Sequence, residues 1–193
     1  MTDHYTPEEQ VILLTLARQT LEAITSGQNA PAVDLAQLPP ALAEERACFV
    51  TMRRREDGSL RGCTGTLVAR RPLAQEVVYM TTQTAFHDPR FVPVMAAEVP
   101  GLHLEISVLT PPQPLAFDSP DDLLNRLRPG VDGVTLKLDA RRATFLPQVW
   151  DSYPDPEIFL SLLAQKMGQA PDAWRHPRLE VETYQAVIIE EET

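Results

Sequence analysis

The chain has 193 residues, 44% hydrophobic and 23% charged, the composition of a globular protein and not of a disordered one. Its 17 basic and 27 acidic residues leave a formal charge of −10, which repels phosphate backbones and argues against nucleic-acid binding. No apolar run approaches the roughly 20 residues of a membrane span. Met1-Thr2-Asp3-His4 lacks the features of a secretory signal, so a cytoplasmic location with Cys48 and Cys63 as free thiols is expected.

Thr6, Pro7 and Glu9 predict a helix start, with a capping threonine, a proline in the first turn and a capping-box glutamate. Val11, Leu14, Ala17, Leu21 and Ile24 follow at helical spacing as an inward face, and Gly27 ends the run. Residues 28–40 hold three prolines and read as a surface loop. Residues 47–52 and 60–67 read as two strands joined by a hairpin turn at Asp57-Gly58. A helix is expected from Pro72 to about Phe86, apolar at Leu73, Val77 and Met80.

Residues 102–109 alternate with period two as a half-buried strand, and Ser119-Pro120-Asp121-Asp122 opens a short helix through Leu127. Val134–Leu138 and Ala143–Leu146 form a second hairpin across residues 139–142. Asp155-Pro156 caps a helix ending at Gly168, with Ile158, Leu162 and Leu163 inward. Leu179–Ile189 reads as one last strand, and Glu190-Glu191-Glu192 as a frayed, solvated end that could favour a basic partner. Helices mix with antiparallel-type strands without regular βαβ alternation, so the fold class is α+β, with mainly antiparallel sheets and flanking helices.

Cys63 is the candidate nucleophile. A thiolate needs positive charge or backbone N–H groups beside it, and Arg61 supplies a cation two residues away. On a regular strand Arg61 and Cys63 share one face and could line one cleft. Gly62 and Gly65 would let backbone amides turn toward one point and stabilise an anion. The competing reading is a small buried cysteine between glycines that permit a bulge. Cys48, in an apolar strand, reads as packing.

His87 and Asp88 could act as a base and its orienting carboxylate, although Asp88-Pro89 is equally a turn. Glu105 shares a strand face with His103 and must find a partner, with Arg61 or Arg90 as structural candidates. The histidines (His4, His87, His103, His176) are scattered without metal-binding spacing; a composite of Cys63, His87 and Glu105 is the one combination left open. The arginine runs 53–55, 70–71 and 141–142 read as solvated turns. No nucleotide-binding loop appears, so no cofactor is indicated.

Leu60-Arg61-Gly62-Cys63-Thr64-Gly65-Thr66 resembles the LRGCIGT hallmark of the AMMECR domain family. Phe49-Val50-Thr51, Arg71-Pro72-Leu73, Asp88-Pro89-Arg90-Phe91, Glu105-Ile106-Ser107-Val108-Leu109, Gly130-Val131-Asp132-Gly133, Phe145-Leu146-Pro147-Gln148-Val149 and Pro171-Asp172-Ala173-Trp174 resemble further family features in the same order. Thr64 departs from the family's usual isoleucine, and its hydroxyl needs either water or a partner.

The resemblance implies one AMMECR-type domain over residues 1–193, built as two interleaved, unequal lobes with the hallmark loop near a cleft. It also implies association with Memo-like and radical SAM proteins, as in the AmmeMemoRadiSam system. Two functions follow as expectations. In one, Cys63 forms a covalent intermediate with a small substrate, His87 or Glu105 moves protons, and Arg61, Gly62, Thr64, Gly65 and Arg90 hold the ligand. In the other, the same loop is a docking surface for a partner protein or a small anion.

Overall fold

The structure, a computed structural model, describes residues 5–192; His4 and the rest of the leading tetrapeptide lie outside the described residues. The chain divides into two compact units, one running through Thr110 and resuming at Val187, the other spanning Pro111–Ala186.

In the first unit, helix α1 (Pro7–Thr25) begins on its capping box: Thr6 N–H donates to Glu9 Oε2 at 2.8 Å, and Glu9 N–H to Thr6 Oγ1 at 3.3 Å. Its buried stripe is Leu13, Ala17, Thr20 and Leu21, with Leu14 and Ile24 at the margins. Val11 is exposed, contrary to expectation. It lies two residues before Leu13, about 160° round the helix, so its apolar character does not put it on the stripe. Within and after the proline-rich stretch, Asp34 caps a 3-10 turn at Leu35–Gln37, and helix α2 (Pro40–Ala43) follows.

Strands β1 (Cys48–Arg54) and β2 (Leu60–Gly65) form the first hairpin, whose turn needs Gly58 at φ +70°. Helix α3 (Leu73–Phe86) and strand β3 (Leu102–Leu109) occupy their expected segments.

The second unit opens with β4 (Gln113–Pro114) and α4 (Pro120–Arg126), the latter capped by Ser119 Oγ accepting from Asp122 N–H. Strands β5 (Gly133–Leu138) and β6 (Arg141–Phe145) turn at Asp139, whose φ is +54°. Helix α5 (Pro156–Lys166) buries Phe159, Leu160, Leu163 and Ala164, while Ile158 is exposed. Trp150 stacks on Phe159 with ring centroids 3.6 Å apart in this unit's core.

The expected single strand at 179–189 is two strands, β7 (Glu180–Tyr184) and β8 (Ala186–Glu190). They belong to different sheets, ordered β2-β1-β3-β8 and β4-β7-β5-β6. Odd-numbered positions are apolar at Val181, Val187 and Ile189 but polar at Thr183 and Gln185, and that break in the alternation falls where the chain changes sheet.

In the first sheet β1 pairs antiparallel with both β2 and β3. Helices α1 and α3 cover one of its faces, where Val50, Met52, Leu104 and Ile106 are fully buried against Leu13, Leu21 and Val77. Each such side chain contributes about 1.5–3 kcal/mol. The acidic end is anchored and not frayed at Glu191. Its carboxylate accepts from Arg18 Nε at 2.9 Å, Arg55 Nη2 at 2.8 Å and the Leu104 N–H at 3.1 Å. Arg55 is thereby engaged as well. No helix among the described residues is long and apolar enough to cross a membrane.

Candidate functional site

The hallmark residues Leu60–Gly65 make up β2, an edge strand of the first sheet, and Thr66 follows its end. Gly62 faces α3: a Cβ there would stand 3.0 Å from both Thr84 Cγ2 and Thr84 O. Gly65 lies on the opposite face, under Phe49, where a Cβ would come within 2.2 Å of the ring. Neither glycine has a positive φ, so both allow close packing and neither turns amides toward a ligand. Thr64 shares the helix-facing side. Its hydroxyl lies 2.7 Å from Thr84 Oγ1, which itself donates to the Val50 carbonyl at 3.1 Å, so Thr64 donates inside the sheet–helix interface. That supplies the partner its hydroxyl needs.

Cys63 faces away from the helices. Register puts it opposite Thr51, and Thr51 opposite Glu105, so one row crosses three strands on that face. Thr51 Oγ1 donates to Cys63 Sγ at 3.4 Å. Ser107, two residues along β3 on the same face, donates to Glu105 Oε1 at 3.3 Å. Cys63 and Glu105 are half-buried, whereas Thr51 and Ser107 between and beside them are only 6% and 3% exposed.

The outer edge of β2 is closed by a side-chain pair. The Cys63 N–H donates to Asp88 Oδ2 at 2.9 Å, and Arg90 Nη2 donates to the Cys63 carbonyl at 2.8 Å. Asp88 and Arg90 hold each other through Nη2–Oδ2 at 2.7 Å and Nε–Oδ1 at 2.9 Å. Together they supply the acceptor and donor that a neighbouring strand would have offered, which blocks edge pairing at Cys63. Arg90 is held above the usual arginine range mainly by Asp88, with a smaller electrostatic contribution from the Cys63 thiol. The cation beside the thiol is therefore Arg90.

Arg90's hydrogen bond, helped by the Cys63 and Arg90 N–H groups, holds the Asp88 carboxyl well below the usual carboxylate range against the opposing effect of burial. A depressed folded pKa means stabilisation that is complete above the unfolded value of about 3.9 and is lost as pH falls through the folded value. Asp88→Asn should thus lower stability near pH 7 by about 1–3 kcal/mol, because Arg90 and Cys63 lose a charged acceptor. The gap between wild type and variant should narrow steadily below about pH 4, as urea unfolding at stepped pH would show.

Arg61 makes no hydrogen bond to the thiol among the described residues. It is 2% exposed and pairs side-on with Glu98 at 2.8 and 3.0 Å, while Nη2 also donates to the Val92 carbonyl at 3.0 Å. Its charge is spent on fixing the segment after α3. Glu98 is correspondingly held below its ordinary pKa, first by Arg61. Arg61 Nη1 is buried without a hydrogen-bond partner among the described residues.

His87 stands exposed just past the end of α3, and its ring makes no hydrogen bond among the described residues. The adjacent Asp88 is committed to Cys63 and Arg90, so it does not orient that ring. Glu105 pairs with neither Arg61 nor Arg90, which are taken by Glu98 and Asp88. His103 lies 3.6 Å from Glu190. No three His, Cys, Asp or Glu side chains converge as metal ligands among the described residues, so Cys63, His87 and Glu105 are not gathered into one cluster. Cys48 is buried, and burial followed by the Glu76 charge pushes its thiol pKa up.

Thr51, Ser107 and Glu98 escaped the sequence reading. For Ser107 a signal was available, since Glu105-Ile106-Ser107 alternates polar and apolar, whereas Thr51 shares its strand phase with the apolar Phe49.

Fold and site together describe an α+β protein with two mainly antiparallel sheets and a half-buried cysteine on a side-chain-clamped edge strand. The AMMECR1 family model matches residues 14–189. Among relatives, a protein of Thermofilum pendens is 37% identical over 96% of this chain and 91% of its own length. One of Methanopyrus kandleri is 34% identical over 100% and 93%. The crystal structure of the uncharacterized protein PH0010 from Pyrococcus horikoshii superposes with a TM-score of 0.79 at 32% identity, covering 97% of this chain and 93% of that one. The chain belongs to the AMMECR1 family.

Proposed function

We propose that this protein uses Cys63 as a nucleophile toward a small electrophilic substrate. The observation that carries the reading is the surroundings of the thiol. It is half-buried, receives a hydrogen bond from Thr51 and lies beside the Arg90 cation that Asp88 holds in place. A thiolate is the attacking form, and a fixed cation with a hydroxyl donor is the environment that favours it.

In an acyl-transfer step the thiolate adds to the acyl carbon and the leaving group departs with a proton. Water then hydrolyses the thioester and restores the thiol. Thr51 lies between Cys63 and Glu105, whose Cα atoms are therefore about 10 Å apart. Glu105 thus faces a bound molecule and not the sulfur. Association with Memo-like and radical SAM proteins belongs to this proposal through the family resemblance alone.

The test is exposure to p-nitrophenyl acetate followed by peptide mass spectrometry. Cys63 should acquire an acetyl group ahead of every lysine, and Cys63→Ser should lose that modification while keeping stability within about 1 kcal/mol. Acetylation confined to lysines would refute the nucleophile.

A further inference from the structure

We infer that Glu105 is the receptor for a positively charged group, a primary ammonium, on the small molecule that occupies the Cys63 row. The identity of the occupant rests on the reading of Cys63 as the reacting thiol; the charge preference does not.

Most of the other charged residues on this face and at its edge are engaged elsewhere. His103 has Glu190 at 3.6 Å, and Arg90 has Asp88 at 2.7 Å. Arg53, which register places on the same face opposite His103, is exposed and directs Nη1 to the Gly58 carbonyl at 3.4 Å. Arg61 is buried on Glu98. Glu105 is the one carboxylate of this group without an ion pair among the described residues, as Arg53 is the one guanidinium; the Glu105 carboxylate accepts one hydrogen bond, from Ser107. A half-buried carboxylate in mid-strand is costly to keep without a cation or several donors.

Its neighbours point the same way. The residues beside it, Thr51 and Ser107, are short, so nothing long stands on the row between Cys63 and Glu105. Their two hydroxyls are already donating, Thr51 to the sulfur and Ser107 to Glu105. A molecule lying along the row therefore meets a sulfur with an adjacent cation at one end and an unpaired anion at the other. An electrophilic carbon several bonds from an ammonium group matches that order of charges. The reverse arrangement would set a ligand's anion against Glu105.

Alkylating agents of different charge test this directly. Rates at Cys63 are measured by peptide mass spectrometry for 2-bromoethylamine, iodoacetamide and iodoacetate, each relative to glutathione. The bromoethylamine-to-iodoacetamide ratio at Cys63 should be several-fold above the glutathione ratio and return to it in Glu105→Gln. A ratio that Glu105→Gln leaves unchanged, or a preference for iodoacetate, would overturn the inference.

A second readout does not depend on the thiol. In Cys63→Ser protein, the Glu105 carboxyl carbon is followed by NMR during titration with butylamine hydrochloride against equal sodium chloride. A saturable shift supports the ammonium site, and a flat titration overturns it. An inert Cys63 together with a saturable shift sinks the nucleophile and leaves the ammonium site standing. A shift with N-acetyl-lysine methylamide but not with butylamine would assign the ammonium to a protein side chain and overturn the small-molecule part.

Discussion

Glu98→Gln should destabilise the protein by about 3 kcal/mol, or roughly 10 °C in Tm for a chain of this size. The substitution keeps an amide oxygen that can still accept from Arg61 and from the Met95 N–H, so the loss isolates charge from shape. Arg61 would then be a cation only 2% exposed, with Nη1 already unpartnered among the described residues and no carboxylate facing it. Removing one member of a buried pair leaves the other's desolvation uncompensated, which is why the expected effect exceeds that of a surface bridge. The Glu98 side chain is itself 21% exposed, which sets the estimate at the lower end of the range for such pairs. Replacing both partners, as in Arg61→Met with Glu98→Gln, should recover part of the loss, because no buried charge remains. A drop under about 0.5 kcal/mol for Glu98→Gln in urea unfolding would show that the pair does not hold this segment.

Gly65→Ala should cost about 3 kcal/mol, and the order Gly65→Ala, Gly62→Ala, Gly101→Ala should run from most to least harmful. At Gly65 the new Cβ meets Phe49 Cγ at 2.2 Å and the Cys48 carbonyl oxygen at 2.6 Å. The ring could turn aside, but the carbonyl is fixed because it accepts the Thr66 N–H at 3.0 Å. At Gly62 the nearest atoms stand at 3.0 Å, where a small shift of α3 relieves the contact. Gly101 has nothing within 4 Å and no positive φ, so alanine there is the neutral control. Phe49→Ala in the Gly65→Ala background should restore only the ring's share of the loss. Thermal melts of the four variants check the order, and a Gly65→Ala protein as stable as Gly101→Ala would contradict the strand geometry around Cys63.

The parts of this fold legible in the sequence are those set by neighbours along the chain. Thr6 with Glu9, Ser119 with Asp122 and Asp155 with Glu157 are caps whose partners lie two or three residues away, and all three form as the residue types require. Gly58 marks its turn through a backbone angle that most side chains avoid. Long-range pairing is where local pattern stops informing. Arg61 and Glu98 are 37 residues apart, and the segment carrying Glu98 has no periodicity to place it.

The site divides the same way. That Cys63 stands on a strand beside a cation could be read from the hallmark, but which arginine could not. Arg61 is nearer in sequence, yet Arg90 reaches the strand edge because the turn after α3 aims Asp88 and Arg90 back at Cys63. Gly62 and Gly65 look alike in sequence and serve opposite faces, one for α3 and one for Phe49. The acidic end likewise gave no local sign that Glu191 would be held by Arg18, 173 residues away.

The most direct test of the central claim is the rate at which iodoacetamide alkylates Cys63 and Cys48 in the folded protein at neutral pH, in wild type and in Arg90→Ala. Cys63 should react faster than glutathione, Cys48 should stay protected by burial until the protein unfolds, and Arg90→Ala should slow Cys63 toward the glutathione rate. If Cys63 is no faster than glutathione, or if both cysteines stay inert until unfolding, Cys63 is a packing residue and the proposed chemistry is wrong.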